Sequence, residues 1–583
     1  MTELHIDKQQ VILPKDFSLT IIEENPVFTK NGKYTYDLEL SLDNDQNAKI
    51  YKHLNRINNK ISIPENRSAY LVVDNEVVLN GTEIILEITD RAVKIQLVSG
   101  ESELNFLKGG NKKINELELG DIDISNLEFI NYAPLLSNTL GRIINGTRVA
   151  MPTDNHYEYK SFPSLPQPYF WNIINRILES LGYSVSSNVF RSDNLKYLYI
   201  VNGIQTKKYK RILPDWTVND FFTEVENLFN VIFLVNEYNR TVSVVFKNNF
   251  YQNREQINIK EILDEHVQEV EVENSSENIG YDLPGSINYM PYPDFYYAPN
   301  YFEYQNLDKT ILENTTIIQL NNYNAIKTYI NANDKSELKD KLFLSISTET
   351  YYICYKGKTS GGSDSYFPKK VNIFKPIINN GKSPNIDIKL KITPAQMTPT
   401  LIQVRDRINL PINPKWNGLA QMPIIETSDF SNYEDQEDNA MDIQEFIEEG
   451  ESGIEGGIAL GISLAFFDGN KTMKEFSGTL GFQCEYPMAW IDFLTEIYSN
   501  VDGDYFMSNG TSLRLDYLLS QNSQSIQTDT TRPYHFKFIY KKKIDAKSIF
   551  IFNNKKFVCK DFKRTIDAKS NQDIIEGIFY AVD

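Results

Sequence analysis

The chain has 583 residues, a net charge of −19, and 41% hydrophobic, 12% aromatic and 23% charged residues. That length suits roughly three to five domains with sizeable cores. A phosphate-binding surface needs a clustered positive field, so the acidic balance argues against nucleic-acid binding as the main activity and leaves room only for a local basic patch. Tyr 35 and Phe 33 against Met 9 point to β-rich packing, because aromatics fit pleated surfaces. Cys354, Cys484 and Cys559 are dispersed and odd in number, so they are expected to be buried thiols, with neither a zinc site nor a disulfide framework. The opening Met-Thr-Glu-Leu-His-Ile-Asp lacks the basic and apolar regions of a signal peptide. No window nears the ~18 apolar residues of a membrane helix. A cytoplasmic place of synthesis and assembly is therefore expected, with no membrane-spanning segment.

In chain order, residues 1 to about 150 read as short strands: Phe17 to Ile22, Tyr34 to Leu42, Tyr70 to Val73, Glu76 to Leu79, Thr82 to Thr89 and Val93 to Val98. This spacing suits a barrel or sandwich. Asp74-Asn75 is a tight-turn pair and Asn80-Gly81 a hairpin signal. Asp43 to Asn47 mimics the start of a calcium loop, but Ala48 stands where Gly is needed and Leu54 where Glu is needed, so it reads as a solvated turn. After Pro163, Pro166 and Pro168, an amphipathic helix runs from Tyr169 to Leu181, with Phe170, Ile173, Ile174, Ile177 and Leu178 on one face and Gly182 as its stop. Thr217 caps a second helix, with Asp220 as its capping-box partner. Val218, Phe221, Phe222, Val225, Leu228 and Phe229 recur there at helical spacing and Asn230 ends it. Val231 to Val235, a polar turn, and Thr241 to Phe246 complete a helix–strand–turn–strand unit.

Further on, Ile257 to Val272 reads as a polar helix running into a strand. Thr315 to Tyr355 and Lys369 to Thr393 read as β-structure, and Ile458 to Phe467 as a core strand. Residues 429 to 455 carry eleven acids and no Lys or Arg, a composition that is solvated and mobile. Met488 to Tyr498 spaces Trp490, Phe493, Leu494 and Ile497 as an amphipathic helix. Two basic runs, Lys207, Lys208, Lys210 and Arg211, and Lys541 to Lys543, read as solvated edges or loops.

Three stretches carry a family resemblance. Asn25-Pro26-Val27-Phe28, Gly32 to Tyr36 and Asn55-Arg56-Ile57-Asn58 resemble the opening of hub-like tail proteins from phages of gut Bacteroidetes. Trp216-Thr217-Val218-Asn219-Asp220-Phe221-Phe222, leading into its two-stranded ribbon, resembles a segment of phage tail hubs. Ile549 to Lys560 and Glu576-Gly577-Ile578-Phe579-Tyr580 look like the close of the same proteins. The resemblance implies a ring of β-barrels around the DNA channel, trimeric first and hexameric second. Residues 1 to 150 and a later β-module would be the channel-side barrels, Phe28 would plug a barrel end, and ~300 to ~460 would be an outward elaboration. Other tail or baseplate proteins would be the partners, and genomic DNA would pass without specific binding. An acidic wall suits that passage, and a soluble outer surface accounts for the same charge equally well; if residues 1 to 150 line the channel, strand positions such as Asp37, Glu39 and Asp43 would include some that face the axis.

Chemistry is sparse. Five histidines, His5, His53, His156, His266 and His535, form no metal or catalytic motif, and no nucleophile elbow or phosphate loop is present. No catalytic residue, metal ligand or cofactor is assigned. Tyr289 to Tyr304 is aromatic-rich; Tyr292, Phe295, Tyr296, Tyr297 and Tyr301 are candidates for packing on their own sheet, for a subunit interface, or for stacking on sugar rings. The last reading supports an alternative, a tail adhesin or polysaccharide-degrading tail protein. The expected fold is α+β, predominantly β, with barrel or sandwich modules and a small helical insert. Its divisions are a β-domain (1–150), an α/β insert (151–256), a second β-module (257–425) and an acidic loop with a C-terminal module (426–583). The expected function is structural, in the virion tail, with no enzymatic turnover.

Overall fold

The computed structural model describes residues 2–56, 66–122, 166–202, 208–267, 544–567 and 571–582 in continuous runs, together with shorter stretches between 129 and 160, at 279–281 and between 317 and 542. The fold is α+β and predominantly β. Its largest element is a fourteen-stranded sheet built from both ends of the chain. Eight strands come from the first hundred residues: β1 (Thr2–Ile6), β2 (Gln9–Val11), β3 (Ser18–Glu24), β4 (Lys33–Thr35), β5 (Leu38–Ser41), β6 (Ser68–Val73), β7 (Glu76–Ile88) and β8 (Ala92–Ser99). In chain order, three strands of a separate smaller sheet come after β8 and before the remaining strands of the large one: β9 (Ser184–Asn188), β10 (Val231–Asn236) and β11 (Thr241–Phe246). Six later strands complete the large sheet: β12 (Gln256–Ile259), β13 (Glu261–Val267), β14 (Tyr534–Ile539), β15 (Ile549–Phe552), β16 (Lys555–Asp567) and β17 (Asn571–Ala581).

The main path runs β2-β1-β6-β7-β8-β4-β3-β16-β17-β14-β13. The described strands of residues 1–150 thus do not close into a barrel of their own. β3 instead pairs along its whole length with β16, from Ser18 opposite Asp567 to Glu24 opposite Asp561. The reason is that the inward residues of β3 need a continuous hydrogen-bonded neighbour, and the C-terminal strand supplies it. Leu4, Ile6, Leu19, Ile21, Leu38, Leu40, Leu71, Val93, Ile95 and Leu97 alternate into one core, joined by Ile566 from β16. The C-terminal strands have an aromatic core in which Phe536 stacks on Phe552 with ring centres 3.9 Å apart and Phe538, Phe550, Phe557 and Phe579 pack around them.

Turn chemistry sets the register. Asp74-Asn75 and Asn553-Asn554 both hold two successive left-handed residues, φ 47° and 66° in the first and 48° and 65° in the second, as a two-residue hairpin requires. Asn80-Gly81, expected as a hairpin turn, lies inside β7, opposite Tyr70 and Ala69. Its glycine serves close approach: a Cβ there would sit 2.0 Å from the Val98 carbonyl oxygen. Asp43 to Asn47 leads into a short helix, α1 (Asp45–Ile50), because the Asn44 side chain accepts from the backbone N–H groups of Gln46 and Asn47.

The helix–ribbon unit is as expected. The helix α2 (Phe170–Ser180) buries Phe170, Ile173, Ile174, Ile177 and Leu178, and Gly182 follows at φ 85°. The helix α3 (Val218–Phe229) carries the Thr217/Asp220 capping box, and Asn230 is left-handed at φ 51°. Both helices pack with the β10–β11 ribbon in one core, where Phe170 meets Phe221 and Phe229. Buried Ile462, Leu464, Ala465 and Phe466, from the strand Ile462–Glu475, join it.

Three elements differ from expectation. Ile257 to Val267 forms strands β12 and β13, since Ile257 and Ile259 alternate inward and pair beside β15. Within Thr315 to Tyr355 a helix, α4 (Tyr323–Ala332), is capped by Asn322 and buries Ile326 and Ile330, one helical turn apart. Met488 to Tyr498 falls in strands Phe482–Trp490 and Asp492–Asn500. Register shifts at Asp492/Leu494 and Leu494/Glu496 interrupt the alternation there, leaving a spacing that imitates a helix.

Phe221 is fully buried and in ring contact with Phe170 and Phe222. Phe221→Ala is expected to destabilise the protein by ~3–5 kcal/mol, read as a lowered urea midpoint with an unchanged slope.

Candidate functional site

Parts of all three stretches that carry the sequence resemblance, Asn25 to Phe28, the helix–ribbon unit and the C-terminal strands, meet at one place. The chain leaves β3 at Glu24 and turns through Asn25 to Phe28. Asn25 is fully buried, and its backbone N–H donates to the Lys560 carbonyl of β16 at 2.8 Å. Its side-chain NH2 lies 2.9 Å from the Cys559 carbonyl oxygen, 3.0 Å from the Ala546 carbonyl oxygen and 3.0 Å from the Tyr251 hydroxyl. Two hydrogens serve three acceptors, so at least one bond is shared. The remaining amide oxygen accepts from the Val27 N–H at 3.1 Å and closes the turn.

Apolar packing surrounds this amide. Ile232 of β10, Phe250, Tyr251, Ile549 of β15, Val558 of β16 and Tyr580 of β17 form one buried cluster, with Val27, Phe28, Leu234 and Val245 against it. Phe28 packs on Tyr580, ring centres 5.1 Å apart. It therefore fills the seam between the terminal sheet and the ribbon, where a barrel end had been expected. Lys30 extends the contact to α3, pairing with Glu226 at 2.8 Å and donating to Thr223. Gly32, at φ 61°, lets the returning chain pass: a Cβ there would lie 2.4 Å from the Ser102 nitrogen.

Beside the seam is a cavity of about 320 Å³ lined by Glu23, Glu24, Lys33, Glu101, Glu237, Tyr238, Arg254, Asp545 and Lys547, among others. Glu23 accepts from the Ala546 N–H at 2.8 Å and faces Lys33 at 3.3 Å; Lys33 also faces Glu237 at 3.4 Å. Glu101 accepts from the Val235 N–H at 3.2 Å and pairs with Lys547 at 2.7 Å. Burial pushes Glu23 up to about 7 against the pull of Lys33. Lys33 is pushed upward by Glu23 and Glu237, which outweigh its own burial. Cys559, sealed beneath the seam, is raised by burial and so is an inert thiol. Nothing in this chemistry is a nucleophile–base pair; the arrangement ties elements together.

Sequence reasoning missed these charges because Glu23, Lys33, Glu101, Glu237 and Lys547 are scattered along the chain. One signal was present. Glu23 shares strand parity with buried Leu19 and Ile21, so an alternating reading of β3 places an acid on the core face.

The other candidates fall elsewhere. Tyr292, Phe295, Tyr296, Tyr297 and Tyr301 lie outside the described residues, as does most of the acidic stretch 429–455. Cys354 is half-buried. The Lys208 backbone forms an isolated antiparallel β-bridge with Asp121, Lys210 and Arg211 sit in a short 3-10 helix, and Lys541 and Lys542 are exposed. Asp37, Glu39 and Asp43 are all exposed, alternating with buried Leu38, Leu40 and Leu42, and Asp37 pairs with Lys94 at 2.7 Å. Among the described residues no group of three or more His, Cys, Asp or Glu is arranged to hold a metal ion. No helix among them is long and apolar enough to cross a membrane.

No family model and no curated protein matches the chain. Among solved structures, the 43 kDa tail protein of prophage MuSo2 from Shewanella oneidensis matches with 10% sequence identity and a TM-score of 0.24. The match covers 46% of this chain and 62% of that one, so it spans less than two thirds of that protein's length.

Asn25→Ala is expected to cost about 2–4 kcal/mol, because two buried carbonyls and a hydroxyl lose their donor without gaining water. Equilibrium urea denaturation followed by tyrosine fluorescence checks this.

Proposed function

We propose that the chain is a structural component of a phage tail, hub- or baseplate-like, acting in the virion after assembly in the bacterial cytoplasm. The observation that supports this reading is the convergence at Asn25. The Asn-Pro-x-Phe turn, the helix–ribbon unit and the Asn-Asn-Lys-x-Phe hairpin resemble segments of tail hubs, and they lie far apart in sequence. In this chain they pack on one another through Phe28, Ile232, Ile549, Val558 and Tyr580. Three short likenesses scattered by chance over a long chain have no reason to share one seam.

The role is mechanical. A hub joins the tail tube to distal parts and must carry load through its own fold, and a sheet that locks both ends of the chain together resists being peeled strand by strand. A ring follows from the need to close around an axis, with heterologous contacts between copies. Threefold closure is the first expectation and sixfold the second, with other tail or baseplate proteins completing it. The DNA would pass through the lumen without specific binding, since each phosphate contact adds affinity that transit must break.

Electron microscopy of the purified protein, alone and in assembled tails, is expected to show a closed ring of three copies around the tail axis. A single copy placed off-axis overturns the hub reading. A glycan array and a reducing-sugar assay are expected to give no signal; specific glycan binding or release of reducing ends favours the adhesin or depolymerase class instead.

A further inference from the structure

We propose that Glu23 makes the seam a proton-operated clamp: with its carboxyl protonated, the Ile544–Ser548 loop and the β10–β11 turn stay seated on the end of β3, and with it ionised an opened seam is favoured. This is independent of the tail reading.

The geometry carries the argument. Glu23 sits at the meeting of three parts of the chain. It touches the C-terminal loop through the Ala546 N–H at 2.8 Å and the ribbon turn through Lys33, which Glu23 shares with Glu237 at 3.3 and 3.4 Å. The charged and titratable groups around it come from every neighbouring element. Its own strand gives Glu24, which accepts from Tyr34 of β4 at 2.9 Å. β4 also gives Lys33. The end of β8 leads to Glu101, the ribbon turn carries Glu237 and Tyr238, Arg254 follows the ribbon, the loop brings Asp545 and Lys547, and β16, paired along β3, gives Cys559 and Asp561. Along the cavity, five carboxylates (Glu23, Glu24, Glu101, Glu237, Asp545) thus face three cations (Lys33, Arg254, Lys547).

Two of those cations are engaged by other partners. Lys547 is taken by Glu101 at 2.7 Å, and the Arg254 side chain donates to the Phe250 carbonyl at 2.9 Å. An ionised Glu23 is left with one N–H and a share of Lys33, which is poor compensation for a buried carboxylate. Opening the seam solvates it. The 320 Å³ cavity provides the route, since it is bordered by exposed Tyr238 and Asp545. The proton is lost to solvent by that path, and no other bond is made or broken.

The sign follows from linkage. Burial raises Glu23 from its ordinary 4.5 to about 7. A carboxyl raised on folding binds its proton more tightly in the closed state. Its contribution is fully present below pH 4.5 and is lost as the pH rises towards 7. Glu224 and Asp561 are also raised by burial, so global stability mixes several groups and the test must be local.

Hydrogen exchange with mass spectrometry, corrected for intrinsic rates, reads the amides of residues 544–549 in the full-length protein. Their protection is expected to fall at least ~10-fold between pH 5 and pH 8, and to become pH-independent in Glu23→Gln. Equal protection at both pH values in the unmutated protein overturns the proposal, as does a slope that survives Glu23→Gln. Should Glu23→Gln not fold, Glu237→Gln decides. It leaves Lys33 to Glu23 alone and is expected to move the loss of protection to lower pH; an unmoved transition overturns the clamp.

Discussion

One buried amide organises the junction on which the rest depends. The Asn25 side chain has nothing apolar to offer the core, and in that position it is stable only while the Cys559 carbonyl of β16, the Ala546 carbonyl of the C-terminal loop and a tyrosine hydroxyl face it. Burying a polar group without partners costs several kcal/mol (about 2–7, by reference state), so the amide permits one arrangement of β3, the ribbon and the C-terminal loop and penalises its neighbours. The apolar contacts around it are less selective. Phe28 on Tyr580, or Ile232 near Val558, would tolerate small slips. The amide converts a greasy contact into a specific joint, a division of labour in which hydrophobic area supplies strength and hydrogen bonding supplies register.

The charged cavity beside it extends the same logic with less economy. Lys33 serves two carboxylates, and Lys547 ties Glu101 to the loop that Asn25 also holds. Buried ion pairs are weak contributors to stability, because desolvation offsets most of the attraction. Their use here is positional. Lys33–Glu237 connects the N-terminal strands to the ribbon turn and Lys547–Glu101 connects them to the C-terminal loop, while Lys33–Glu23 joins β4 to β3. A similar use appears deeper in the N-terminal strands, where Arg67 pairs with buried Glu83, donates to the Ile50 carbonyl and lies over the Tyr51 ring.

What could be read from the residues was local. The Thr217–Asp220 cap, the apolar face of α3 and the left-handed Asn230 all rest on contacts within a few positions, and all are found as expected. What could not be read depends on partners far along the chain. A barrel at residues 1–150 was a reasonable solution for strands that need closure, until β16 supplied the edge that β3 lacked. Gly81 looked like a turn residue because its role, letting the Val98 carbonyl approach, belongs to the next strand. Leu494 and Ile497 imitated a helix because bulges shifted the parity of a strand. The acids of the junction had one local trace, the parity of Glu23 with Leu19 and Ile21, and no trace of the lysines that answer them.

The pairing of β3 with β16 also has a consequence for how the molecule is made. Thr20 and Thr565 bridge the strands hydroxyl to hydroxyl at 2.9 Å although 545 positions separate them. During synthesis the edge of β3 leaves the ribosome long before its partner exists. At ~5–20 residues per second, the wait lasts roughly half a minute to two minutes. Throughout it, the nascent chain presents an unsatisfied strand edge to every other copy being translated on the same message. Polysomes are the setting in which such edges pair wrongly. A chaperone that occupies the β3 edge, or a slow release that keeps nascent copies apart, would matter more to the yield of this protein than any single contact in its finished core.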